Sequence, residues 1–250
     1  MNYEIIPLKL GEFPHFELSS LLYMTQQGTK IRAPITAWLI RGEGKKILVD
    51  TGPCDPAWSA KHHHTIEVSE EMKLESALKL HGVALADIHC VVLTHLHWDH
   101  CFGNHLFPDI KFYVQRTEFD YAMDPLPLHR VGYESFQAGL CPPWHQSMSQ
   151  FEFVHGDLEL FPGITLVALP SHTPGSQGVL VAAQTKRYLI AGDCIGSYAN
   201  WEGTRDQKHI VGGVHVNLRD YYATYEKIER MGVEILPGHD MRVFEKKAYQ

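Results

Sequence analysis

The chain lacks the marks of several large protein classes. No stretch approaches the roughly 18 consecutive apolar residues that span a bilayer, which argues against a membrane partner. The opening residues, Met1 to Leu10, alternate like a strand and lack the charged start, long apolar centre and small-residue cleavage site of an export signal, so a cytoplasmic location is expected. Cysteine is scarce: the five residues are odd in number and contain no C-x-x-C pair, which suits reduced thiols better than a disulfide framework. Basic residues are few, 22 Lys+Arg against 29 Asp+Glu for a formal charge of −7, and they form no cluster that would attract a nucleic acid. Repeats, low-complexity tracts and Gly/Ser linkers are absent too, so residues 1–250 are read as a single domain. What the chain does have is 17 histidines, an excess of imidazole that points toward metal ligation.

A recurring unit organises the sequence: a short apolar run followed at once by reactive polar residues. Ile47 to Val49 leads into Asp50-Thr51-Gly52, and Val91 to Leu93 into Thr94-His95-Leu96-His97-Trp98-Asp99-His100. Ile164 to Leu169 precedes Pro170-Ser171-His172-Thr173-Pro174-Gly175, Tyr188 to Ala191 precedes Gly192-Asp193-Cys194, and Val233 to Leu236 precedes Pro237-Gly238-His239-Asp240. These runs are short, rich in β-branched residues and bounded by Gly or Pro, which predicts strands. Between them, Leu74, Ala77, Leu78 and His81 share a helical face closed by Gly82. Leu218, Tyr221, Tyr222, Tyr225 and Ile228 make a second stripe, with Asn217 as N-cap and Gly232 as terminator. Strands alternating with helices define an α/β class in which helices cover sheet faces.

The densest chemistry is His95-Leu96-His97-Trp98-Asp99-His100. In an extended segment residues 95 and 97 point the same way and can grip one ion, while Asp99 and His100, past the turn, reach another. Zinc accepts this mixture of imidazole nitrogen and carboxylate oxygen without a thiolate. One cluster cannot fill two tetrahedral shells. His172, Asp193 and His239 are the natural completion, each in a Gly/Pro-bounded turn directly after a predicted strand.

This ordered set of motifs, from about residue 35 to residue 240, resembles the metallo-β-lactamase superfamily. The resemblance implies a four-layer αβ/βα sandwich with two zinc ions at one edge. It implies that His95, His97 and His172 hold the first Zn²⁺, that Asp99, His100 and His239 hold the second, and that Asp193 bridges both. Asp50 would orient the metal loops without binding metal. The implied chemistry is hydrolysis of a carbonyl compound by a metal-bridging hydroxide, with Asp99 placed to pass a proton. A redox branch of the superfamily usually carries Glu where this chain has His97.

Within the superfamily, the N-acyl homoserine lactonase and pyridoxolactonase branch is the nearest in likeness. A glyoxalase-II-like helical domain is not expected from Asp240 to Gln250, and nuclease branches act on polyanions that a −7 chain attracts poorly. One departure stands out. The branch commonly places a tyrosine three residues after the bridging Asp, and here that position is Gly196; Tyr198 is the candidate to assist catalysis in its stead. The expected reaction is the opening of a lactone, N-acyl homoserine lactones included. Hydrolysis of a thioester, cyclic amide or activated ester is the alternative, and a non-catalytic metal-binding protein a third.

Substrate contacts are expected from two variable segments. Residues 123–150 form a ring-rich insertion, including Met123, Leu126, His129, Tyr133, Phe136 and Trp144, that suits a pocket wall, a lid or a homodimer contact. Residues 197–216 offer Trp201 and Arg205, the latter as partner for a substrate carboxylate. His62, His63 and His64 read as a solvated loop, and His105 as a residue that caps or orients the cluster.

Overall fold

The computed structural model describes residues 1–250. Six strands form the first sheet in the order β1 (Glu4–Glu17), β2 (Lys30–Gly42), β3 (Lys45–Val49), β4 (Cys90–Val92), β5 (Phe112–Gln115) and β6 (Phe151–Val154). The second sheet runs β11 (Glu234–Pro237), β10 (Arg187–Gly192), β9 (Gln177–Ala182), β8 (Ile164–Ala168) and β7 (Leu158–Phe161). β3 to β6 pair in parallel, as do β10 and β11, whereas β1 to β3 and β7 to β10 pair antiparallel. All five strands expected ahead of the motifs are present.

The helices are α1 (Leu18–Leu21), α2 (Pro56–His62), α3 (Leu74–Leu80), α4 (Trp98–Cys101), α5 (Arg116–Met123), α6 (Tyr198–Glu202) and α7 (Leu218–Met231). Their packing follows from the period-2 alternation of the strands. Trp38, Ile40, Ile47 and Val49 point to one face and meet Ile164, Val179, Val181 and Ile190 of the other sheet. Leu39, Leu48 and Val91 point to the opposite face and pack under Leu74, Ala77 and Leu78 of α3. Leu189 and Ala191 in turn pack under Tyr221, Tyr225 and Ile228 of α7. Helix, sheet, sheet and helix are therefore stacked as four layers, the αβ/βα sandwich.

The two expected helices need small corrections. His81 is the C-cap of α3, with Gly82 following at φ +69°. In α7, Asn217 Oδ1 accepts from the Arg219 amide and Gly232 ends the helix at φ +57°. Tyr222 faces solvent, because the buried stripe runs Tyr221, Thr224, Tyr225, Ile228 at i, i+3, i+4, i+7.

The segment 123–150 joins α5 to β6. It is a chain of turns and short 3₁₀ helices anchored by Tyr133 and Trp144, both fully buried in the layer outside the first sheet. Large aromatic rings bury the most apolar area per residue, so they serve as anchors before they serve as contacts.

Candidate metal centre and substrate cavity

The five strand-end loops converge at one edge of the sandwich, between the two sheets. The ligand-type atoms of His95, His97 and His172 lie within 4.8 Å of one another, as do those of Asp99, His100 and His239, and those of His95, His100 and Asp193. Asp193 stands between the first two groups and divides its oxygens. Oδ2 is 3.6 Å from His172 Nε2 and 4.0 Å from His95 Nε2; Oδ1 is 3.0 Å from His239 Nε2 and 3.3 Å from His100 Nε2. One carboxylate thus offers one oxygen to each set.

Four of the five rings are aimed by the outward nitrogen. His172 Nδ1 donates to the Val214 carbonyl at 3.0 Å and His239 Nδ1 to the Pro34 carbonyl at 2.8 Å. His100 Nδ1 donates to Asp50 Oδ2 at 2.8 Å. The Thr94 hydroxyl donates to Asp50, so its oxygen is free to accept from His95 Nδ1 at 3.1 Å. With those protons committed outward, the Nε2 lone pairs of His95, His100, His172 and His239 point inward. Buried and without hydrogen-bond partners, His95 Nε2, His100 Nε2 and Asp193 Oδ1 leave the interior unsatisfied by protein alone. His97 joins through Nδ1, 3.0 Å from His172 Nε2. This donor set fits two zinc ions in chemistry and in aim.

Electrostatics agree. Burial, reinforced by neighbouring imidazoles, lowers His95 and His97 well below the ordinary histidine range. Burial is the largest influence on His100 and His239 and opposes their charge, but the surrounding carboxylates, Asp193 foremost and Asp99 with it, together raise both. Asp193 itself, despite its burial, is held well below the usual carboxylate range by His239 and His100. Because a ligand atom must be free of its proton to bind a cation, metal binding here would be linked to proton release.

Asp50 sits beside the loops that carry the candidate ligands. It adopts φ +62° at the end of β3, an unusual left-handed conformation for a non-glycine residue, and accepts from Thr94 N–H, Thr94 O–H and His100 Nδ1. A second organiser escaped the sequence reading. Glu118, fully buried in the first turn of α5, accepts from the Leu96 amide at 3.0 Å, the Tyr133 hydroxyl at 2.8 Å and the Thr173 hydroxyl at 2.6 Å. It thereby ties the His95–His100 loop, the His172 loop and the 123–150 segment to one another. Burial raises its pKa, and these three donors work against that rise.

Above the cluster opens a cavity of about 250 Å³, with His97, Asp99, His172, Asp193 and His239 in its floor. Its walls are Phe13 and Phe16 of β1, Leu21 of α1, Trp98, Leu128 and Val214, with Ser20, His64, His129, Gly132 and Gly196 between them; no Lys or Arg contributes.

None of the five expected substrate contacts lines this cavity. Tyr133 lies behind His97, its ring 4.5 Å away and its hydroxyl on Glu118. Trp144 is in the core. Phe136 is half exposed and packs on His145, Trp201 stacks on His209 at 4.1 Å, and Arg205 is exposed to solvent. Tyr198 is also elsewhere: it packs against the inter-sheet core beneath the Arg242 guanidinium, 4.3 Å above its ring. At Gly196 a Cβ would come within 2.8 Å of Leu21 Cδ2, so Leu21 fills the space a larger residue there would need. The histidine triplet is not simply solvated. His63 is buried, 2.7 Å from Glu134 Oε1 and stacked on Trp98 at 4.3 Å, and His64 lines the cavity. His105 is exposed and holds the Phe102 carbonyl through Nδ1 at 2.9 Å.

The family model of the metallo-beta-lactamase superfamily matches residues 32–239. The chain belongs to this superfamily. Among similar metallo-β-lactamase-fold proteins, an N-acyl homoserine lactonase of Bacillus thuringiensis is 28% identical over 185 residues, 70% of this chain and 69% of its own length. The N-acyl homoserine lactonase AttM of Rhizobium radiobacter is 25% identical over 239 residues, 85% of this chain and 84% of its own. In three dimensions the chain resembles an N-acyl homoserine lactone hydrolase solved with N-hexanoyl-L-homoserine at its catalytic metal centre, at a TM-score of 0.77 and 22% identity, covering 98% of this chain and 96% of that one. That structural likeness establishes the metallo-β-lactamase fold. Phe13, Phe16, Ser20 and Leu21 of the cavity wall precede the residues that the family model matches.

Proposed function

We propose that this protein is a dinuclear zinc hydrolase that opens a lactone bearing an apolar substituent, with N-acyl homoserine lactones as the fitting class. The observation that carries the reading is Asp193, with one oxygen toward each ligand set, at the floor of a cavity whose walls are apolar and free of cationic groups. His95, His97 and His172 would hold one ion and Asp99, His100 and His239 the other, with Asp193 shared. Bound there, two zinc ions supply a water-derived nucleophile near neutral pH and Lewis acidity toward a carbonyl oxygen.

The chain's own residues do the rest. Phe13, Phe16, Leu21, Leu128 and Val214 take up an apolar substituent and exclude water from it. Asp99 faces the cavity with Oδ2 3.6 Å from His100 Nε2, and would hold the proton needed by the leaving oxygen. With no Lys or Arg in the wall, a substrate carrying a free carboxylate gains no ion pair, which favours acylated homoserine lactones over carboxylated ring lactones. The N-acyl homoserine lactonase relatives support the same choice by name. No helix is long and apolar enough to cross a membrane; the cytoplasmic setting drawn from the cysteines belongs to this proposal.

The test is proton release from a panel of N-acyl homoserine lactones, unsubstituted lactones, thioesters and cyclic amides, using protein of known zinc content. Lactone turnover that disappears on chelation and returns with zinc is expected. Thioester or amide turnover exceeding that of every lactone would overturn the reading.

A further inference from the structure

Beside the candidate ligands, the cavity contains only three other polar side chains: Ser20, His64 and His129. Of these, His129 alone is buried, and its ring is held in place from behind. His129 Nδ1 lies 2.7 Å from the Tyr121 hydroxyl, which makes no other side-chain hydrogen bond. With the phenol as donor to Nδ1, a neutral imidazole carries its own proton on Nε2. The backbone fixes the residue as well: its amide donates to the Leu126 carbonyl at 2.8 Å, and its carbonyl accepts from the Tyr133 amide at 3.3 Å.

The same turn is pressed onto the metal loop. The Gly132 carbonyl accepts from the Trp98 amide at 3.0 Å, and a Cβ on Gly132 would stand 3.3 Å from His97 Nε2. His129 is thus carried on a segment registered directly against His97, at the rim of the first ligand set. Nε2 has no protein acceptor among the hydrogen bonds of the structure, and the side chain belongs to the cavity wall.

From this geometry we infer that His129, oriented by Tyr121, presents a neutral Nε2–H donor to an oxygen of the bound substrate. The inference rests on the proposed hydrolase reading and extends it to a residue of the 123–150 segment. A preoriented donor binds without first ordering its own side chain, so its loss is felt directly. The donor role requires an N–H, not a positive charge, and a side-chain amide reproduces it.

The experiment combines NMR with kinetics on the zinc-loaded full chain. ¹⁵N-histidine spectra should show the Nε2–H tautomer at His129, and Tyr121→Phe should let the Nδ1–H form appear. With N-hexanoyl homoserine lactone as probe, His129→Ala should lower kcat/KM by about 10- to 100-fold, the effect of removing one substrate hydrogen bond. His129→Gln should restore most of it, with zinc content unchanged in both. If His129→Ala fails to fold, Tyr121→Phe decides, with an expected drop of about three- to tenfold. A native Nδ1–H tautomer, or kcat/KM within about twofold of wild type after the deciding substitution, would overturn the inference. Should the wild type open no lactone, the lactone reading fails by itself, and the tautomer alone decides the donor: Nε2–H upholds it and Nδ1–H removes it.

Discussion

The floor and the walls of the cavity are built on different principles. Every ligand-type side chain in the floor follows a strand end, and four of the imidazoles are aimed by an outward hydrogen bond to Asp50, Thr94, Pro34 or Val214. Apart from Trp98, which the His95–His100 motif carries, the walls are assembled from β1, α1, the 123–150 turns, the loop at Val214 and the positions of His64 and Gly196, with no shared spacing. The floor needs particular atoms at particular separations. Apart from His129, the walls need mainly apolar volume, which many different residues supply. Residue identity is therefore constrained throughout the floor, and in the walls only at His129.

Removing the shared oxygens should give the largest effect. Asp193→Ala is expected to lower hydrolysis by about 10³-fold, since metal Lewis acidity is worth several kcal/mol in the transition state, and to lower zinc content measured by mass spectrometry. The same floor sets a pH dependence. Imidazole and carboxylate ligands bind metal only without their protons, and the neighbouring carboxylates raise His100 and His239, so zinc affinity should fall as pH is lowered and loading should release protons. Calorimetry in two buffers of different ionisation enthalpy reads that release.

Trp144→Ala should show the 123–150 segment to be core: unfolding in urea should reveal a loss of about 3–5 kcal/mol, with zinc content per folded chain unchanged. Glu118→Gln keeps the shape but removes the charge that three donors share. It is expected to weaken zinc binding by about 10- to 100-fold in chelator competition, the range for residues that orient metal ligands. In the wall, Phe16→Ala should reduce kcat/KM for a long-chain N-acyl lactone by about tenfold and much less for an unsubstituted one, as expected for apolar pocket contacts. Arg205→Ala, on the exposed loop, should leave kcat/KM within about twofold. A long-chain defect in Arg205→Ala equal to that of Phe16→Ala would break the division between floor and wall.

That division also explains what was legible beforehand. The strands before Asp50, His95, His172, Asp193 and His239 were readable because β-branched runs ended by Gly or Pro have few alternatives. Convergence of their ends follows once the strands lie side by side in two packed sheets. Phe13, Phe16 and Leu21 were not legible as wall, since apolar residues on an alternating strand and a one-turn helix look the same whether they face a core or a cavity. Tyr133 and Trp144 misled in the opposite sense: a ring-rich insertion suggests contact with a ligand, yet burial preference drew its largest rings inward. Glu118 was hidden because a single acid in the first turn of a helix ordinarily faces water. Only the fold brings Leu96, Tyr133 and Thr173 around it. His63 was hidden for the same reason, its partner Glu134 being remote in sequence.

The divided carboxylate of Asp193 has one more consequence. Its two oxygens face different ligand sets, so a cation entering either set withdraws charge from the other and at the same time immobilises the side chain both sets share. Occupancy of the two positions is then linked, and by reciprocity the first position alters the affinity of the second by the same factor as the second alters the first. With two cations bound as proposed, departure of the loading isotherm from two independent sites would measure that coupling, its sign showing whether immobilisation or repulsion prevails.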